Sequence, residues 1–176
     1  DWDRENIEMV VAEALKIAQE KLAPANETGD RVGAQWESGR VTMPEGFLDA
    51  HRTVAEGGWV GCTNNPEFGG MGLPHTVGTA VNELFAGANM SFALTLLLTR
   101  GAAELIELFG TEEMRTLFCE KMYSGAWTGT MCLTEPQAGS DVGASTATAE
   151  PQPNGRYLLS GEKIFITSGD HDLTDN

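Results

Sequence analysis

The chain has 176 residues, of which 41% are hydrophobic and 21% charged, a composition that fits a folded globular protein and excludes a disordered or fibrous one. Its 26 acidic residues against 11 basic ones leave a formal charge of −15, which excludes unaided binding to nucleic acid or to an anionic membrane, because both reward clustered Lys and Arg. Cys62, Cys119 and Cys132 are odd in number, widely spaced and outside any C-x-x-C pattern, so neither a disulfide framework nor a zinc site is expected, and a reducing cytoplasm fits best.

In chain order, Ile7, Val10, Val11, Ala14, Leu15, Ala18 and Leu22 recur at steps of three and four, which predicts an amphipathic helix over residues 5–23 ended by Pro24. Residues 26–42 are rich in Gly and charge and read as a connector, with ESGRVTMP a tight turn between short extended pieces. Pro44 in a first turn, then Phe47, Ala50 and Val54 facing inward and Gly57-Gly58 as a stop, predict a third segment that is helical. PEFGGMGLP is a glycine-dense loop. Further helices are expected over 74–86 and 91–109, the latter closed by Gly110, and Thr111 is placed to cap a helix carrying Met114, Leu117, Phe118 and Met122.

After Gly125 the period changes. WTGTMCLT, STATAE, RYLLSG and EKIFIT are short, rich in Thr, β-branched and aromatic residues, and separated by turn chemistry such as PQPNGR, so strands are expected from about residue 126. The fold class expected is α+β: an N-terminal helical bundle over residues 1–125, then the first strands of a β-barrel-like domain over 126–176. The chain opens on an amphipathic pattern and stops just after a strand-like segment, as a piece of a longer protein would. The longest apolar stretch, SFALTLLLT, is too short to span a bilayer, and the first residues carry no export signal.

The densest polar chemistry lies in MCLTEPQAGSDVGAS, residues 131–145. Glu135-Pro136 should turn the chain out of the sheet, leaving strand-end N–H and C=O groups for a partner, while Gly139 lets the backbone approach a ligand and Ser140 offers a hydroxyl. Asp141 is expected to order the turn through bonds to its own backbone. From residue types alone an ordinary capped surface turn is the commoner reading, and KIFITSG, ending in Thr167, Ser168 and Gly169, is what could complete a polar rim. His51, His75 and His171 show no ligand spacing, so no metal site is expected.

TEPQAGSDVGAS resembles the signature of the acyl-CoA dehydrogenases, flavoenzymes with a T-E-x-x-x-G-S-D stretch after a strand of their middle β domain. PEFGGMGLP, FGTEEMRTLFCEKMYSGAWTGTMCLTE and GEKIFITSG are similar to further segments of that family in the same order, and together they cover nearly the whole chain. ANETGDRVGAQWESGRV, GGWVG, ANMSFAL and FITSGDHDLTDN look closest to the bacterial branch that includes 3-methylmercaptopropionyl-CoA dehydrogenases, which act in dimethylsulfoniopropionate catabolism.

The resemblance implies a cofactor and a set of residues. FAD would be contacted by Met131, Leu133, Thr134, Gly139, Ser140, Phe165, Ile166 and Thr167; Ser140 would also reach the CoA arm of an acyl-CoA substrate. Leu94, Leu97, Leu98 and Gly101 would help line the acyl pocket, although such an apolar stripe is more often plain core. Many family members carry Trp where this chain has Phe165, and an aromatic or another residue where it has Met131. The family's carboxylate base comes from a C-terminal helical domain, so no catalytic residue is assigned here, and Glu135 is read as structural. The family also implies electron-transfer flavoprotein as partner and a homo-oligomeric, cytoplasmic enzyme; this chain alone is expected to be inactive, with apolar surface exposed on its β segment. A flavin oxidase or monooxygenase of the same fold, or a non-catalytic acyl-CoA or partner-binding module, are the competing readings.

Overall fold

A computed structural model describes residues 2–175. It contains six helices longer than one turn: α1 (Arg4–Ile17), α2 (Ala23–Val32), α3 (Phe47–Glu56), α4 (His75–Ala88), α5 (Met90–Phe109) and α6 (Glu112–Tyr123). Two antiparallel hairpins complete the regular structure, β1 (Gln35–Glu37) with β2 (Arg40–Thr42), and β3 (Thr148–Pro151) with β4 (Tyr157–Ser160). The chain divides into two compact units, one reaching to Thr130 and taking up again from Ser168, the other comprising Met131–Thr167. The mixed helix and strand class is as expected; among the described residues no closed barrel forms.

The first unit is held by one apolar core. Ala14, Leu22, Phe47, Ala50, Val54, Val81, Phe85, Phe92 and Leu96 meet there, drawn from five helical stretches at the spacing their sequences show. Phe47 and Phe92 meet edge to face at 5.8 Å, and Trp59 and Phe85 at 5.9 Å, the offset arrangement that ring quadrupoles favour. Arg100 on α5 is buried in the same unit, where its Nε donates to the Val60 carbonyl at 2.9 Å and its other nitrogens reach Trp59 O and Asn82 Oδ1 at 3.4 Å. That guanidinium clamps the GGWVG turn to α5.

Pro24 does not end the first helix. Residues Ala18–Leu22 widen into one π turn, and α2 continues with Pro24 in its first turn. The wide turn removes the conflict a proline ring creates with the carbonyl four residues earlier, because here the preceding bond runs from Ala23 N to Ala18 O. Helix therefore extends through residues expected to be connector. In α3, likewise, Pro44 lies outside the helix; Gly46, at φ +90°, starts it.

Caps follow the sequence more closely. Thr111 accepts from Met114 N at 3.2 Å, and Asn89 caps α5 by accepting from Phe92 N at 3.1 Å while its amide donates to Leu22 O at 3.3 Å. On α6, Met114 and Leu117 are exposed, and it is Cys119, Met122 and Tyr123 that pack inward. The stretch from Ser168 belongs to this first unit: Leu173 enters the core, Asp172 Oδ1 accepts from Met43 N at 2.9 Å, and Thr174 Oγ1 donates to Ala126 O at 2.6 Å.

Of four expected strands after residue 126, STATAE and RYLLSG form β3 and β4, joined through PQPNGR with Gly155 at φ +75°. The other two do not form as strands. WTGTMCLT makes one isolated bridge, Trp127 with Asp175, and EKIFIT is irregular because Phe165 takes φ +53°, which breaks an extended run.

Candidate functional site

The second unit is organised around a carboxylate. Glu135 is 2% exposed, yet its oxygens accept from Thr146 N at 2.7 Å, Thr146 Oγ1 at 3.1 Å, Ala147 N at 3.0 Å, Gln137 Nε2 at 2.7 Å and Lys163 Nζ at 2.8 Å. Lys163 beside it, then those backbone and amide donors, hold its carboxyl far below the usual carboxylate range against the opposing effect of burial. A buried acid with this many donors is satisfied and held in its ionised form, which makes it a poor proton acceptor. Glu135 is an organising residue, as expected.

Around it the motif closes as a tight loop. Glu135 N donates to Ala138 O at 3.1 Å and Ala138 N returns to Glu135 O at 3.0 Å, across Pro136 and Gln137. The following turn is closed by main chain, with Ala144 N donating to Asp141 O at 3.1 Å. Gly139 and Ser140 are exposed beyond the loop, and a methyl group at Gly139 would meet only the Thr134 methyl, at 3.8 Å.

Two of the sequence-predicted segments come together although some thirty residues separate them. Ile164 N donates to Thr134 O at 2.9 Å, and Lys163 Nζ donates to Leu133 O at 3.0 Å. Leu133 and Thr134 are thus held beside the stretch carrying Phe165, Ile166 and Thr167. Met131, Leu133 and Phe165 are 51%, 45% and 85% exposed, so large apolar side chains stand open in this unit. Thr134 and Ile166 are half-buried and Thr167 is exposed. A cavity of about 360 Å³ also lies in this unit, lined by Cys132, Ala147, Leu159, Ser160 and Lys163 among others, but by none of the predicted cofactor residues.

The first unit carries the other predicted residues. Leu94, Leu98 and Gly101 are half-buried and Leu97 is 52% exposed, all on α5, whose buried residues are Phe92, Thr95, Leu96, Thr99, Arg100 and Ala103. Leu94 and Leu97 line a depression of about 60 Å³ with Asn82, Ala86, Met90 and Ala93. A methyl group at Gly101 would meet nothing within 4 Å. Ser168, expected on the polar rim, bonds to Thr95 of α5 at 2.8 Å in this first unit.

Two residues escaped the sequence reading. Lys163 and Arg156 are the only cations between Met131 and Thr167, and a lone Lys before an apolar run, in a unit with a motif acid, was the available signal. Arg100 gave no signal, because a charged residue in an apolar helix stripe reads as an exposed interruption. Among the described residues, no group of His, Cys, Asp and Glu could hold a metal ion, and no helix is long and apolar enough to cross a membrane.

Known proteins share this arrangement. Residues 4–126 match the acyl-CoA dehydrogenase N-terminal domain and residues 130–174 the acyl-CoA dehydrogenase middle domain. A 3-methylmercaptopropionyl-CoA dehydrogenase of Ruegeria pomeroyi is 46% identical over 161 residues, 92% of this chain and 27% of that protein. Butyryl-CoA dehydrogenase from Megasphaera elsdenii superposes with a TM-score of 0.77 at 27% identity, covering 96% of this chain and 43% of that one. An acyl-CoA dehydrogenase complexed with FAD from Bacillus anthracis superposes with a TM-score of 0.73 at 25% identity, covering 94% of this chain and 27% of that one. The chain thus spans about a quarter of the length of its curated relative. With both domain signatures in order and the fold shared across almost every residue, the chain belongs to the acyl-CoA dehydrogenase family.

Proposed function

We propose that this chain supplies the N-terminal helical portion, residues 1–125, and the beginning of the middle domain, residues 126–176, of an FAD-dependent acyl-CoA dehydrogenase. The observation that carries the reading is the junction in the second unit, where Ile164 and Lys163 bond to the carbonyls of Thr134 and Leu133 and so bring both cofactor segments together. FAD, the cofactor named for the Bacillus anthracis relative, fits the groups present: open apolar faces for its ring system, threonine hydroxyls for its polar edge, and exposed Gly139 and Ser140 for its phosphates. Neutral backbone and hydroxyl donors can hold those phosphates although the chain is acidic overall.

When bound, FAD would accept the hydride that leaves the β-carbon of an acyl-CoA thioester. This chain's residues would bind and orient. Met131, Leu133, Phe165 and Ile166 would pack against the ring and exclude water, Thr134 and Thr167 would bond its polar edge, and Ser140 would reach the CoA arm. Leu94, Leu97, Leu98 and Gly101 would shape an acyl pocket. No residue here would take the α-proton, since Glu135 is locked by its donors. The likeness to the Ruegeria pomeroyi protein supports 3-methylmercaptopropionyl-CoA as substrate. Electron-transfer flavoprotein as acceptor, a homo-oligomer as the assembly and the bacterial cytoplasm as the place complete the proposal; the three free cysteines, with Cys132 exposed, suit a reducing compartment.

The test is to purify the full-length protein, identify any released flavin, and assay a panel of acyl-CoA thioesters with an artificial electron acceptor. FAD together with thioester-dependent acceptor reduction is the expected result. Fast reoxidation of the reduced flavin by oxygen with peroxide release would establish an oxidase instead, and a protein isolated without flavin would favour a binding module.

A further inference from the structure

The backbone around Thr134 is bonded on one side only. Lys163 Nζ donates to Leu133 O at 3.0 Å, and Ile164 N donates to Thr134 O at 2.9 Å. Among the described residues the Thr134 N–H donates to no group, although Thr134 is half-buried. Such an N–H is available to a ligand, because no described group of the protein takes it. The Leu133 carbonyl and the Thr134 N–H are two ends of the same peptide group. An ammonium on the carbonyl draws electron density from the amide and makes its N–H a stronger donor, the cooperative strengthening of linked hydrogen bonds.

Lys163 can do this because its own position is fixed. Glu135, buried and held by Thr146, Ala147 and Gln137, accepts from the same ammonium at 2.8 Å. The carboxylate thus anchors the lysine and balances its charge, so that the effect reaches Thr134 through the peptide and not as a bare positive field.

We propose that Lys163, anchored by Glu135, is a positioning residue that polarises the Leu133–Thr134 peptide and strengthens the Thr134 N–H as a donor to the flavin. The inference rests on the FAD reading above. A strengthened donor facing the ring favours its electron-rich reduced form, so the pair adjusts both the affinity for FAD and the ease of its reduction.

The experiment uses the full-length protein and compares wild type with Lys163→Met, Lys163→Arg and the double variant Glu135→Gln/Lys163→Met, measuring the FAD dissociation constant and the flavin midpoint potential. Lys163→Met is expected to weaken FAD binding about tenfold, the loss of one charge-assisted bond, and to move the potential in the negative direction. Lys163→Arg should restore most of both. The double variant leaves no buried charge unpaired, so it should fold even where Lys163→Met does not, and it should show the same two shifts. A double variant that folds with the potential and affinity of wild type would overturn the proposal, as would a fall in melting temperature alone. Wild-type protein that holds no flavin would instead strike the functional reading, and the proposal with it.

Discussion

At the scale of single residues, His171 shows how a buried imidazole is fixed in one protonation state. Leu173 N donates to its Nδ1 at 3.2 Å, so that nitrogen is an acceptor, and Nε2 therefore carries the proton it shares with Thr128 Oγ1 at 2.9 Å. Burial pushes its pKa below the ordinary 6.5, against the raising effect of Asp170 and Asp172; burial, then the charge of His171, does the same to His51. Both groups protonate more readily in the unfolded chain, so stability is complete above pH 6.5, the ordinary value in both cases, and falls as pH drops below it. Melting temperature should decline from pH 7.5 to 5.5, and His171→Gln should flatten that decline. An unchanged pH profile in the variant would show that His171 does not carry the effect.

At the scale of elements, two helix caps of the same kind should differ in worth. Thr111 caps α6 at an exposed position, and Thr111→Ala should cost about 1 kcal/mol in denaturant unfolding. Asn89, 1% exposed, caps α5 and also donates to Leu22 O, so Asn89→Ala removes a cap and a second bond in a buried setting, costing about 2–3 kcal/mol. Equal costs would mean that burial adds nothing to the Asn89 bonds. These helices were legible because apolar periodicity and capping are written within a few residues of each other. Pro24 misled because the relief of its conflict, a π turn, is a backbone adjustment with no residue signature. EKIFIT and WTGTMCLT misled for a related reason: β-branched composition marks a chain fit for a strand, while ladder bonds need a partner strand, which among the described segments after residue 126 only β3 and β4 find. The motif acid was legible as structural, but its pairing with Lys163 was not, since a contact across 28 residues leaves no local trace.

At the scale of the molecule, the two units differ in what holds them. The first has a continuous core of aromatic and aliphatic side chains; in the second, between Met131 and Thr167, Ala138 is the one buried apolar residue among those described, and the Glu135 bonds carry the organisation. Regions with little buried apolar area open locally at low free energy, so hydrogen exchange of this chain should be markedly faster across 131–167 than in α4 and α5. Comparable protection in both would contradict that contrast. Three of the four predicted acyl-pocket residues are half-buried and the fourth is exposed; on α5, the two alternatives of plain core and ligand surface are thus separable by position, with Phe92, Thr95, Leu96 and Thr99 taking the core. As proposed, this sequence builds the flavin-holding part of an acyl-CoA dehydrogenase. The most direct test of that proposal is anaerobic addition of 3-methylmercaptopropionyl-CoA and other thioesters to the full-length flavoprotein while following the oxidised flavin absorbance. Bleaching by a thioester is the predicted result, and a bound flavin that no thioester bleaches would contradict it.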